Sequence, residues 1–217
     1  MYCCGIQFAF VFDIYFTTGL NVGKVVWACP DYGNTAVFAK KSRAIVKNYC
    51  VAGTRIARQT NYTCNERDED DFMARVERMD SDADVVVVLG GTNDYGHGDA
   101  EIGDFNSKSE YTFYGAMHIL CNKLIHKYPA AEIVFATPLH RCDEDGFPGK
   151  MPLKKYVDII KEVAGFYGLP VLDLFKTSGI QPKVDIIKEK YMPDGLHPSD
   201  VGAERIAERI YGVLKSL

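Results

Sequence analysis

The nine residues "ADVVVVLGG" (residues 83–91) decide the fold. Val85 to Leu89 run without a polar residue between them. A strand with one face in water alternates polar and apolar positions; an unbroken run indicates burial on both faces. That is the condition of a strand inside a parallel sheet covered by helices. Gly90 and Gly91 follow at the strand end, where small residues let the backbone approach a neighbour closely.

Working outward, the chain repeats a strand-then-helix order. Strand-like runs occur at residues 6–16, at "AIVKNYCVA" (44–52), at "AEIVFATP" (131–138) and at "LPVLDLF" (169–175). Between them lie helical patterns. Residues 33–43 form one. Residues 68–80, "DEDDFMARVERMD", form another, with acids expected in its first turn against the positive end of the dipole. Residues 109–128 place Phe113, Met117, Leu120, Leu124 and Tyr128 on one face. Residues 153–168 end at Gly168. A last helix from about Ser199 carries Ile206, Ile210, Val213 and Leu217 as its core stripe. Five strands, each followed by a helix, predict one doubly wound α/β domain over residues 1–217. In such sheets ligands sit beyond the carboxyl ends of the strands. The informative loops are those after Phe16, Ala52, Gly91, Pro138 and Phe175.

Composition narrows the function classes. The 217 residues are 47% hydrophobic and 25% charged, with a net charge of -4. The negative balance argues against a nucleic-acid or anionic-membrane surface. No apolar run approaches the roughly 18 residues of a membrane span. The apolar start "MYCCGIQFAFVFDIYF" lacks a basic leader and a cleavage site, and reads as a buried strand. The seven cysteines (Cys3, Cys4, Cys29, Cys50, Cys64, Cys121 and Cys142) are odd in number and contain no C-x-x-C. They point to a reduced, cytoplasmic setting without a cysteine metal site.

Three constellations fall on the informative loops. Asn93 and Asp94 follow the glycine pair in "LGGTNDYGHG" (89–98), a neutral amide and a carboxylate at the strand end; as turn formers they also have a purely structural reading. Asp194 and His197 stand three apart in "PDGLHPSD" (193–200). That spacing lets a carboxylate bond Nδ1–H of the imidazole and leaves Nε2 to act as general base. The plain alternative is a helix capped by Ser199 or Asp200 beside a surface histidine. Third, Gly53 follows the second strand in "NYCVAGTRIA" (48–57), where its N–H can face the same rim.

Taken together, the glycine after strand two, G-x-N-D after strand three and D-x-x-H before the last helix resemble the SGNH (GDSL) hydrolase family. The resemblance runs from about residue 44 onward. It is weaker in the second block, where Cys50 and Ala52 stand in places usual for Gly and Ser. It implies a flavodoxin-like, three-layer α/β/α fold with a sheet of five parallel strands, and hydrolysis of esters or thioesters. It further implies His197 as general base, Asp194 as its orienting partner, and the Gly53 N–H and Asn93 side chain as two oxyanion donors. Each such donor stabilises the developing charge by roughly 3–4 kcal/mol. Asp94 is expected to hold the Asn93 loop. Small acyl esters, acetylated carbohydrates among them, are the implied substrates; no cofactor and no metal are implied. Thr17, Thr18 and His140 are expected to border the substrate.

The family's first block, G-D-S-x-T at the end of strand one, has no counterpart here. No serine precedes Ser42. Aligning "TTG" (17–19) with the tail of the block puts Tyr15 in the nucleophile's place; keeping Asp13 as the block's Asp puts Ile14 there. Three explanations stay open: a nucleophile lost in a ligand-binding relative, a substitute hydroxyl on Thr17, Thr18 or Tyr15, or a local reading-frame error across residues 1–43. Two other classes compete. A flavodoxin-like phosphate- or cofactor-binding module would use "FTTGLNVGK", which lacks both phosphate-loop spacings. A metal-dependent hydrolase would use His140, Asp143 and Asp145, acids that also suit a solvated turn.

Overall fold

In the computed structural model the described residues are 16–17, 21–22, 24–27, 45–51, 53–61 and 69–216. The centre of the fold is a parallel sheet of β5 (Val85–Leu89), β6 (Glu132–Ala136) and β7 (Val171–Leu172), in that order. Its register pairs Val87 with Val134 and Ala136 with Leu172. Adjacent residues Val86 and Val87, which face opposite sides, are both 0% exposed. The valine run is therefore covered on both faces, as its lack of alternation required. A second parallel pair joins β3 (Lys24–Trp27) to β4 (Ile45–Lys47), and β1 (Phe16–Thr17) pairs antiparallel with β2 (Asn21–Val22).

Helices follow the strands and supply the cover. They are α1 (Phe72–Arg78), α2 (Thr92–Gly96), α3 (Phe113–Lys127), α4 (Leu153–Phe166), α5 (Leu174–Thr177), α6 (Asp185–Tyr191) and α7 (Asp200–Leu214). Helix α3 packs against both α1 and α4. It buries Phe113, Met117, Leu120 and Leu124, the face its spacing predicts. Phe113 meets Tyr156 of α4 edge-on, ring centroids 4.9 Å apart. Helix α7 buries Ile206 and Ile210. No helix among the described residues is long and apolar enough to cross a membrane.

Among the described residues the strands form a sheet of three, a parallel pair and an antiparallel pair, so the single sheet of five expected is seen in part. Other expectations are corrected. The strand expected over 44–52 leaves its ladder after Lys47, because the Asn48 side chain takes the Cys50 N–H at 2.8 Å. The strand at 169–175 is cut to two residues: Asp173 turns outward and caps α5 by accepting the Lys176 N–H. The acids before α1 do not enter its first turn. Asp71 sits at the N-cap in an extended conformation and accepts the Ala74 N–H at 2.8 Å, a bond open only to a residue outside the helix. The strand expected over 6–16, apart from Phe16, and the helix over 33–43 lie outside the described residues, as does Leu217.

Gly91 makes the turn from β5 into α2 possible. Its φ is +101°, and a Cβ there would stand 3.1 Å from Ile160 Cδ1 and 3.3 Å from Pro138 Cγ. Gly91→Ala is expected to destabilise the protein by about 1–3 kcal/mol in urea unfolding. Gly165→Ala in α4, where a Cβ meets nothing within 4 Å, is expected to be neutral or stabilising by up to about 1 kcal/mol.

Candidate active site

The loop after β4 is shaped by a glycine turn and two hydrogen bonds at Thr54. Gly53 adopts φ +80°, a conformation that side chains other than glycine's rarely take. Thr54 folds back on Val51, donating its hydroxyl to that carbonyl at 2.8 Å. Arg75 reaches up from α1 and donates to the same hydroxyl oxygen at 2.6 Å. Burial lowers the Arg75 pKa to about 10, so the guanidinium stays charged at neutral pH.

The loop is tied to the next strand end by Asp94. Its two carboxylate oxygens accept the Ile56 N–H at 3.0 Å and the Ala57 N–H at 2.9 Å. Asp94 is 3% exposed. Burial drives its pKa up to about 6, against the opposing pull of the two N–H groups and of Arg55. The structural role expected for Asp94 matches this geometry. Its neighbour Asn93, 5% exposed, donates from Nδ2 to the Thr54 carbonyl at 2.8 Å. Asn93 Oδ1 lies 2.7 Å from His97 Nε2, and His97 Nδ1 lies 3.1 Å from Arg55 Nη1. The same Arg55 nitrogen donates to the Gly53 carbonyl at 3.2 Å.

Asp194 and His197 meet as their spacing predicts. His197 Nδ1 is 2.5 Å from Asp194 Oδ2, while Asp194 Oδ1 accepts the backbone N–H groups of Leu196 at 2.9 Å and His197 at 2.6 Å. Burial opposes the carboxylate, but the His197 N–H, the imidazole and the Leu196 N–H outweigh it and hold its pKa below the usual value. Ser199 separately caps α7, accepting the Gly202 N–H. The cap and the carboxylate–imidazole pair thus coexist in one loop.

The 193–198 loop and the Asn93 turn are fastened to consecutive residues of the loop after β6. Arg141 Nη1 donates to the Thr92 carbonyl and hydroxyl, each at 3.2 Å. The Cys142 N–H donates to the Gly195 carbonyl at 2.9 Å. Asp194–His197, Asn93 and the Gly53 loop therefore share the carboxyl-end rim of the sheet.

His140 stands on the same loop, bonded through Nδ1 to Glu144 Oε2 at 2.7 Å, with its ring 3.7 Å from that of Phe175. Thr17 lies in β1, paired with Asn21. Tyr15 and Thr18 fall outside the described residues. Each of the three residues of the metal alternative is paired with another side chain: His140 with Glu144, Asp143 with Arg141 and Asp145 with Lys183. Arg55, His97 and Glu144 were not singled out from sequence. A signal for His97 was present, since it stands four residues after Asn93, one helical turn away.

Asp94 gives the site a measurable pH dependence. Its folded pKa lies above the ordinary 3.8, so the folded chain holds the proton more tightly than the unfolded one. The resulting contribution is full below about pH 4 and is lost as pH rises through about 6. It amounts to about 3 kcal/mol. Urea unfolding of the protein and of Asp94→Asn is expected to show the difference between them falling by that order from pH 4 to pH 7. A pH-independent difference would contradict it.

One solved structure is 31% identical, with a TM-score of 0.77 and coverage of 90% of this chain and 94% of that one. A Lactobacillus plantarum protein is 24% identical at the same TM-score, covering 89% and 94%. An inhibitor-bound aryl esterase of M. smegmatis is 16% identical, with a TM-score of 0.61 and coverage of 90% and 96%, a likeness of fold. No curated protein matches the sequence. The model of the GDSL-like lipase/acylhydrolase family matches residues 17–205, a span that contains Gly53, Asn93, Asp194 and His197 and begins two residues after Tyr15. On that match, the chain belongs to the GDSL-like lipase/acylhydrolase family.

Proposed function

We propose that this rim is an acyl-ester hydrolase site for small soluble esters, acetylated carbohydrates and short acyl chains among them. The observation that carries the reading is the Asp194–His197 pair, held at 2.5 Å on the rim that also carries buried Asn93. Asp194 fixes the imidazole with Nδ1 toward the carboxylate. His197 then takes a proton from an attacking hydroxyl through Nε2 and returns it to the leaving alkoxide. The Asn93 amide and the Gly53 N–H face the carbonyl oxygen as it gains charge. With a nucleophilic hydroxyl supplied, as in Tyr15→Ser, the acyl group passes to that oxygen as the alkoxide leaves, and water then releases the acid. The chemistry uses only these groups, so the reading assigns no cofactor, nucleic acid or membrane partner.

In this reading the β3–β4 pair continues the β5–β6–β7 sheet, giving a five-stranded, flavodoxin-like, three-layer domain over residues 1–217. With "TTG" (17–19) aligned to the tail of the family's first block, Tyr15 takes the nucleophile's place in the sequence. A phenol has an ordinary pKa of about 10 and a longer reach than a serine hydroxyl. The chain as it stands is therefore read as an ester-binding protein that does not turn its ligand over.

Hydrolysis of p-nitrophenyl acetate checks the proposal. The parent and His197→Ala are expected to be indistinguishable from background. Tyr15→Ser is expected to gain turnover, and adding His197→Ala to it to remove that gain by on the order of 10³-fold or more. Turnover by the parent that requires His197 would overturn the loss of activity and direct attention to Thr17 and Thr18. Tyr15→Ser without activity would overturn the hydrolase reading.

A further inference from the structure

The hydrogen bonds around Asn93 have a determined direction. Arginine is a donor only, so Arg55 Nη1, 3.1 Å from His97 Nδ1, makes that nitrogen an acceptor. A neutral imidazole that accepts at Nδ1 carries its proton at Nε2. The Nε2–H then donates to Asn93 Oδ1 at 2.7 Å. The orientation of the amide follows independently: its other end lies 2.8 Å from the Thr54 carbonyl, which can only accept, so the nitrogen belongs there. One Nδ2 hydrogen is used on Thr54, and the other points away from it along the amide plane.

The second hydrogen of Arg55 Nη1 serves the Gly53 carbonyl at 3.2 Å. One guanidinium nitrogen thus bonds the carbonyl of Gly53, the residue whose N–H is read above as an oxyanion donor, and reaches the Asn93 amide through His97. We infer that Arg55 and His97 are positioning residues of the oxyanion hole, forming a one-way relay (Arg55 to His97 to Asn93) that sets the amide's orientation. The inference rests on the hydrolase reading for its catalytic consequence, but the relay is a property of the ground state. Protonating His97 Nδ1 would set an N–H against the guanidinium, so the relay selects the neutral Nε2–H ring. Loss of either member leaves the amide held by the Thr54 carbonyl alone, so its plane is less firmly set toward a developing oxyanion.

Two measurements separate the relay from the reading it serves. In the parent chain, two-bond ¹H–¹⁵N spectra are expected to show His97 as the neutral Nε2–H tautomer at pH 7. Arg55→Met is expected to mix the tautomers, and His97→Leu to shift the Asn93 side-chain amide resonances. An imidazolium or an Nδ1–H ring in the parent overturns the relay. In the Tyr15→Ser background, His97→Leu and Arg55→Met are expected to lower kcat by about 10- to 100-fold with KM little changed. His97→Gln, whose amide can still donate to Asn93, is expected to recover most of the loss. A His97→Leu variant with unchanged kcat overturns the positioning role. If Tyr15→Ser has no turnover, the hydrolase reading falls, and the spectra alone decide whether the relay exists.

Discussion

The Asp94 carboxylate, shared between the backbone N–H groups of Ile56 and Ala57, is the tie on which the rim depends. It joins the loop after β4 to the turn after β5, two segments that make no sheet contact with each other at that point. A buried N–H without an acceptor costs about 1–3 kcal/mol, and here two are satisfied by one side chain. The carboxylate is held where burial opposes its charge and raises its pKa to about 6. The strand end therefore carries an electrostatic cost, offset by fixing the loop that bears Gly53 and Thr54 against the turn that bears Asn93.

From that tie the remaining geometry follows. Thr54 is set by Val51 and Arg75, and its carbonyl receives the Asn93 amide. Arg141 and Cys142 extend the scaffold across the rim, one to Thr92 and the other to Gly195. The loop of Asp194 and His197 is thereby held against the same edge as Asn93, though the two motifs are about a hundred residues apart in the chain. Below the rim the valine strand, closed on both faces, supplies a rigid floor. Above that floor the polar groups of the loops keep their directions by bonding one another.

Much of this was legible beforehand. The run 85–89 and the helix faces at 113–124 and 206–210 carry their burial in their spacing, since period and apolarity are local properties. Asp194–His197 is a contact between near neighbours, so three-residue spacing was enough to predict it. What spacing could not reveal were strand ends. Asn48 and Asp173 cut their strands short with side-chain bonds to nearby N–H groups, which compete with the ladder and leave no mark on hydrophobic pattern. Asp71 likewise moved from the first turn to the cap.

The sequence by itself determined a parallel, helix-covered sheet, the rim on which Gly53, Asn93, Asp194 and His197 lie, and the absence of any serine before Ser42. Only the tertiary structure decided that Asp94 binds the Ile56 and Ala57 N–H groups, that His140 turns to Glu144, and that Arg55 reaches His97. These bonds join residues from different loops. Their partners are chosen by how the loops stack above the strand ends, a distance in space that no spacing along the chain encodes.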